Sequence, residues 1–183
     1  MAHRALVAYR DGDRYRLHYA HWGREVAEAI TPTTPFGGPA DGRRQHPLPG
    51  AVAERFGLDP GSGYTSGTRV DPRPLATGIA PASVLAAVDD TIESLVVVEP
   101  AFECRTYVVC PLGVDGGGPL VLVGPTDEVA TIRRTLRTVK ERLGERVDAG
   151  RLSPKRARDA VRRTLEVQVP VHPFDDASFL RSD

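Results

Sequence analysis

The stretch RALVAYRDGDRYRLHYA, residues 4–20, decides how this chain folds. Two runs of strand-favouring residues flank Asp-Gly-Asp, and Asp-Gly between alternating apolar runs is the strongest short signal for a β-hairpin. With Asp11 and Gly12 as a two-residue turn, Leu6 faces Leu17, Arg4 faces Tyr19 and Val7 faces Arg16. A three-residue turn would set Arg10 opposite Arg14, and like charges directly opposed are unfavourable. Side chains alternate across a strand. Tyr15, Leu17, Tyr19 and His21 therefore share a face with Arg4, Leu6 and Ala8, whereas His18 lies on the other face with His3, Ala5 and Val7.

Beyond Gly23, REVAEAI (24–30) predicts two turns of helix. The stretch TPTTPFGGPADGRRQHPLPG (31–50) is too dense in proline and glycine for a regular element. It is a loop of the length that serves either as a lid or as a connector. AVAERFGL (51–58) predicts a short helix, and DPGSGYTSGT (59–68) a second glycine-rich loop. PASVLAAVDDTIESL (81–95) carries Val84, Leu85, Val88 and Ile92 on one helical face. Short apolar strands are expected at 95–99, 103–111 and 119–124. Thr126 is placed to cap a long amphipathic helix, in which Val129, Ile132, Leu136, Val139, Leu143 and Val147 recur at helical spacing. Ser153 as N-cap and Pro154 at the first helical position start a second helix to about Leu165. The tail after it is irregular or forms one short edge strand.

These elements predict an α+β fold. An N-terminal β-hairpin joins an antiparallel or mixed sheet, with helices on one face and a C-terminal helical hairpin. Residues 1–126 form the expected core domain, and residues 127–183 an amphipathic helical hairpin and tail packed on it.

With 183 residues the chain suits one domain with a sizeable core. Its formal net charge is zero, yet residues 1–126 carry 11 Lys and Arg against 14 Asp and Glu, and residues 127–166 carry 12 against 7. The cations are nearly all arginine; Lys140 and Lys155 are the only lysines. Cys104 and Cys110 match no metal motif. On one straight strand they would sit about 20 Å apart, too far for a disulfide. They are expected to be small buried residues in a reducing compartment. No secretory leader is visible and no apolar run approaches the length of a membrane span, so a cytoplasmic protein without a membrane partner is expected. Neither a nucleophile elbow, a dinucleotide fingerprint nor a Gly-Lys-Ser/Thr phosphate loop occurs, and no cofactor or metal is implied.

Two places attract a functional reading. The first is the end of the hairpin, where Arg4, Tyr19 and His21 on one face, with His18 on the other, could bind an anion or shuttle a proton. Trp22 beside them is expected to anchor the core. The second is the C-terminal helical pair. Arg133, Arg134, Arg137, Lys140, Arg158, Arg162 and Arg163 could neutralise phosphates, although residues 127–166 contain no aromatic side chain to stack on bases. The same helices could instead be a solvated surface or a seam between two copies of the chain.

The quoted hairpin, as HRALVAYR (3–10) followed by YRLHYAHWG (15–23), resembles the opening of a family of uncharacterised proteins, mostly haloarchaeal and sometimes viral. RVDPRPLATGI (69–79) and VVVEPAF (96–102) look similar to later parts of that family, so the resemblance extends over roughly the first 110 residues. It implies a domain of unknown function, and no catalytic residue is carried over. The reading favoured by the residues is a small binding or regulatory module for a nucleic acid or protein partner. The alternative is a small hydrolase or transferase using Arg4, Tyr19, His18 or His21, with the 31–50 loop as its lid.

Overall fold

The computed structural model describes residues 4–21, 25–39, 50–57 and 68–181. His3, Trp22, residues 40–49 of the first glycine-rich loop and residues 58–67 lie outside them. Seven strands form one mixed sheet in the order β3-β2-β1-β4-β5-β6-β7. They are β1 (Ala5–Asp11), β2 (Arg14–Ala20), β3 (Ala76–Ile79), β4 (Ser94–Val98), β5 (Cys104–Pro111), β6 (Leu120–Val123) and β7 (Val171–Pro173). All neighbours are antiparallel except β1 and β4. The chain reaches β4 only after a long crossover, as a parallel neighbour requires.

Both central strands are buried from end to end over Ala5–Tyr9 and Ser94–Val98. Their sequences ALVAY and SLVVV lack alternation because both faces of the sheet are covered. On one face Leu6, Ala8, Leu17, Leu95, Val97 and Leu122 pack with α2 (Gly50–Arg55) through Ala53, and with α3 (Pro81–Ala86) through Val84 and Leu85. On the other, Ala5, Val7 and Val96 pack with Val26 of α1 (Glu25–Ala29). Farther along this second face, Val108, Cys110, Val121 and Val123 lie under α4 (Val129–Asp148) and α5 (Pro154–Glu166). The helices, expected on one face, thus divide between two. The expected hairpin and the C-terminal helical pair are both present.

The hairpin keeps its faces and changes its register. Ala5 pairs with Ala20, Leu6 with Tyr19 and Asp11 with Arg14. The two turn residues are therefore Gly12 and Asp13, not Asp11 and Gly12. Gly12 has φ 62°, so glycine occupies the first central position, where the tight hairpin turn needs a left-handed residue. The shift also sets Asp11 against Arg14, an opposite-charge pair. A slip of two residues returns each side chain to its own face.

Two helix boundaries also move. The helix expected over 81–95 stops at Ala86. Asp89 Oδ1 accepts from the Thr91 N–H at 2.8 Å and from the Thr91 hydroxyl at 2.6 Å, a local turn that competes with helix. The helix expected from Thr126 begins at Val129. The Thr126 N–H donates to the Thr106 carbonyl at 3.0 Å, which keeps Thr126 at the sheet edge. Its hydroxyl accepts from the Glu128 N–H at 3.0 Å. α4 ends as Gly150 turns left-handed at φ 66°, with Arg151 N–H on the Arg146 carbonyl and Gly150 N–H on the Val147 carbonyl. The Ser153 cap holds: its hydroxyl accepts from the Arg156 N–H.

Candidate functional site

The hairpin end brings together three of its four expected residues. Arg4 precedes β1, and Tyr19 is the penultimate residue of β2, on the face that His21 continues. The Tyr19 hydroxyl and His21 Nδ1 are 3.4 Å apart. Burial pushes the Tyr19 phenol up to about 12, while the Arg4 charge acts to lower it and Glu93 to raise it. The Arg4 carbonyl accepts from the Glu93 N–H at 2.9 Å, and the Glu93 carboxylate pairs with Arg133 of α4 at 2.7 Å. The base of the helical pair is thereby tied to the hairpin end, a link made by residues far apart in sequence, which local pattern does not show.

His18 does not join this group. It points to the opposite face, 2% exposed, against Tyr9 and Phe36. Its Nδ1 lies 2.8 Å from the Asp71 carbonyl. A carbonyl only accepts, so Nδ1 carries the proton and the buried Nε2 is bare; among the described residues Nε2 has no hydrogen-bond partner. Burial holds its pKa below the usual imidazole value. This is a packing histidine, shielded from solvent and on the sheet face opposite Tyr19.

Cys110 is fully buried and Cys104 partly so, and both are free thiols. Burial pushes Cys104 up to about 11 and Cys110 up to about 12. Neither thiol has the electropositive, ionised character of a nucleophile.

The helical pair separates its cations into two groups. Arg133 is held by Glu93, and Arg162 by Glu166 at 2.7 Å. Lys140 is half-buried toward Cys110 and Asp115, and burial lowers its pKa. The stem of Arg158 packs over the Gly118 turn. Arg134, Arg137 and Arg163 are exposed. So are Arg142, Arg146, Arg151, Lys155 and Arg156, which are not among the sequence candidates; Arg151 lies in the turn between the two helices. Only Val129 and Ile132 of α4 are buried, both in its first turns, and no residue from Arg133 to Arg156 is buried. Each such anchor contributes about 1.5–3 kcal/mol. Residues 133–163 form a cationic arm that still rests on the core: Leu136, Val139 and Leu143 pack, partly buried, against the cluster of Val108, Cys110 and Val161. Residues 133–163 hold twelve Lys and Arg against four Asp and Glu, while the rest of this neutral chain holds twelve against twenty.

The model of a family of unknown function, DUF6735, matches residues 1–173, and the chain belongs to that family. No curated protein and no solved structure matches it. Among the described residues no helix is long and apolar enough to cross a membrane.

Proposed function

We propose that the protein is a small binding module whose α4–α5 arm docks on a polyanion, with nucleic acid as the partner class. The carrying observation is the charge of the arm: an excess of eight cations over residues 133–163 in a chain of zero net charge. Such segregation creates a local positive potential that a balanced surface lacks. The arm has no aromatic side chain, so contact runs through phosphates rather than stacked bases. Duplex is therefore preferred over single strand, with little sequence preference. In this reading residues 1–126 are the platform and residues 127–183 the interaction element. The two free thiols, Cys104 and Cys110, suit a reducing cytoplasm. The alternative, hydrolase or transferase chemistry at the hairpin end, is favoured by the contact of Tyr19 with His21 alone.

The test is fluorescence-polarisation titration of duplex and single-stranded DNA and RNA at several salt concentrations. Linear loss of log affinity with log salt, steeper for duplex, is the expected result. Absence of binding at low salt by a protein shown folded by circular dichroism overturns the reading.

A further inference from the structure

A second concentration of positive charge lies at the turn end of the hairpin, far along β1 and β2 from Tyr19 and His21. Arg10 from β1, Arg14 from β2 and Arg181 from the 3₁₀ turn Ser178–Arg181 line a cleft of about 390 Å³. Asp13 is the one carboxylate among its lining residues, and Tyr15, Pro81 and Leu180 supply apolar wall.

One of these cations, Arg10, and the backbone that carries another, Arg181, are fixed before any ligand arrives. Arg10 Nη1 is 3.2 Å from Glu99 Oε2, and Arg10 Nε donates to the Gly12 carbonyl at 3.0 Å. The second Glu99 oxygen accepts from Arg105, which also donates to the Phe179 carbonyl at 3.2 Å. Next along the tail, the Tyr15 hydroxyl donates to the Leu180 carbonyl at 2.5 Å. The backbone that carries Arg181 is thus held from two strands. Arg14 is looser, 3.9 Å from the exposed Asp13.

Guanidinium forks match the paired oxygens of phosphates and carboxylates. Glu99 is shared by Arg10 and Arg105, so the four arginines Arg10, Arg14, Arg105 and Arg181 stand against two carboxylates, Asp13 and Glu99, and the excess of two positive charges fits a dianion. The volume lies in the range of small-molecule sites and exceeds what a bare oxyanion fills, so the remaining space beside Pro81 takes an organic body. We propose that this cleft binds a small organic phosphate monoester, its dianion on Arg10, Arg14 and Arg181 and its apolar part on Pro81 and the Tyr15–Leu180 wall. The site is separate from the arm and does not depend on polyanion binding there.

Isothermal titration of the full chain with phenyl phosphate, inorganic phosphate and benzoate tests it. Saturable one-to-one binding of phenyl phosphate is expected, with inorganic phosphate and benzoate each weaker by about tenfold or more. Replacing two exposed residues, Arg14→Ala with Arg181→Ala, should weaken phenyl phosphate by about tenfold or more. The arm variant Arg134→Glu, Arg137→Glu, Arg163→Glu should leave it unchanged. No saturable heat with phenyl phosphate overturns the proposal. So does equal affinity for benzoate, or a loss in the arm variant as large as in the cleft variant.

Discussion

The Tyr15 hydroxyl donates to the Leu180 carbonyl at 2.5 Å, a bond across 165 residues that joins the first hairpin to the last turn of the described chain. Both residues are buried, at 1% and 0% exposure. Burial raises the Tyr15 phenol pKa, so the hydroxyl stays a donor at physiological pH. Tyr15→Phe keeps the ring and leaves a buried carbonyl without this partner. It should cost about 1–2 kcal/mol in urea unfolding. Amide exchange at Leu180, whose N–H donates to the Ala177 carbonyl, should quicken more than at Val96 in the sheet centre. Unchanged stability together with unchanged exchange would show that the tail is held by Arg105 and packing instead.

Acid should act on His18. Its pKa in the folded protein lies below the ordinary 6.5, first because of burial, with Arg16 lowering it further. The bond to the Asp71 carbonyl and the Asp71 charge oppose these effects without reversing them. The unfolded chain therefore takes up a proton at His18 more readily than the folded one. Stability from this residue is complete above about pH 6.5 and is lost as pH falls through that value toward the folded pKa. His18→Asn retains a donor for the Asp71 carbonyl and removes the titration. Urea midpoints at about pH 7.5 and pH 5.5 should fall more steeply for the parent than for the variant. Parallel slopes would remove His18 as the source.

How far the fold was legible follows from the range of the forces involved. The hairpin faces, the strand of Cys104–Pro111 and the helices of Val129–Asp148 and Pro154–Glu166 rest on local periodicity, and each formed close to its expected place. The hairpin register depended on which of two adjacent residues took a left-handed backbone, and only Gly12 met that need. β3 carries no pattern of its own. Its sequence ATGI is partly exposed and becomes a strand because Tyr15 and Leu17 of β2 offer it an edge. The split of helices between two faces likewise rests on the full burial of SLVVV, which a short apolar run does not distinguish from one-sided cover.

The cysteines provide a chemical check on the packing. Cys110 lies on β5 beneath α4, fully buried, with its thiol pushed up to about 12. Cys104 is partly exposed and pushed up to about 11. Iodoacetamide at about pH 8 should modify Cys104 slowly and leave Cys110 untouched until urea unfolds the chain. Mass spectrometry of the digested protein separates the two. Rapid labelling of Cys110 in the native protein would mean that α4 lifts from the sheet.

The candidate sites were legible to different degrees for a related reason. Charge on the C-terminal helices stands in the sequence itself, but which cations remain available does not. Arg133 meets Glu93 from forty residues away, and Lys140 turns toward Cys110. The turn-end cleft was invisible, because Arg181 reaches it only through the bonds of Tyr15 and Arg105 to the tail.

This division of the cations makes a sharp prediction for the arm. Arg134, Arg137 and Arg163 are exposed, so each is open to a phosphate. Replacing one of them with Glu should reduce the slope of log affinity against log salt by about 0.9 for each duplex phosphate that is no longer neutralised. The fold should be unaffected, since these side chains lie on the solvated face. Arg133→Ala should behave oppositely. It breaks the pair with Glu93, whose partners are each about a third exposed, and should change stability by about 1 kcal/mol or less with the salt slope preserved. Circular dichroism melts run beside the polarisation titrations separate the two effects. If Arg133→Ala alone flattens the salt dependence while the three exposed variants leave it intact, the contact surface is the hairpin end around Arg4 and Glu93, and the arm is a solvated helix pair.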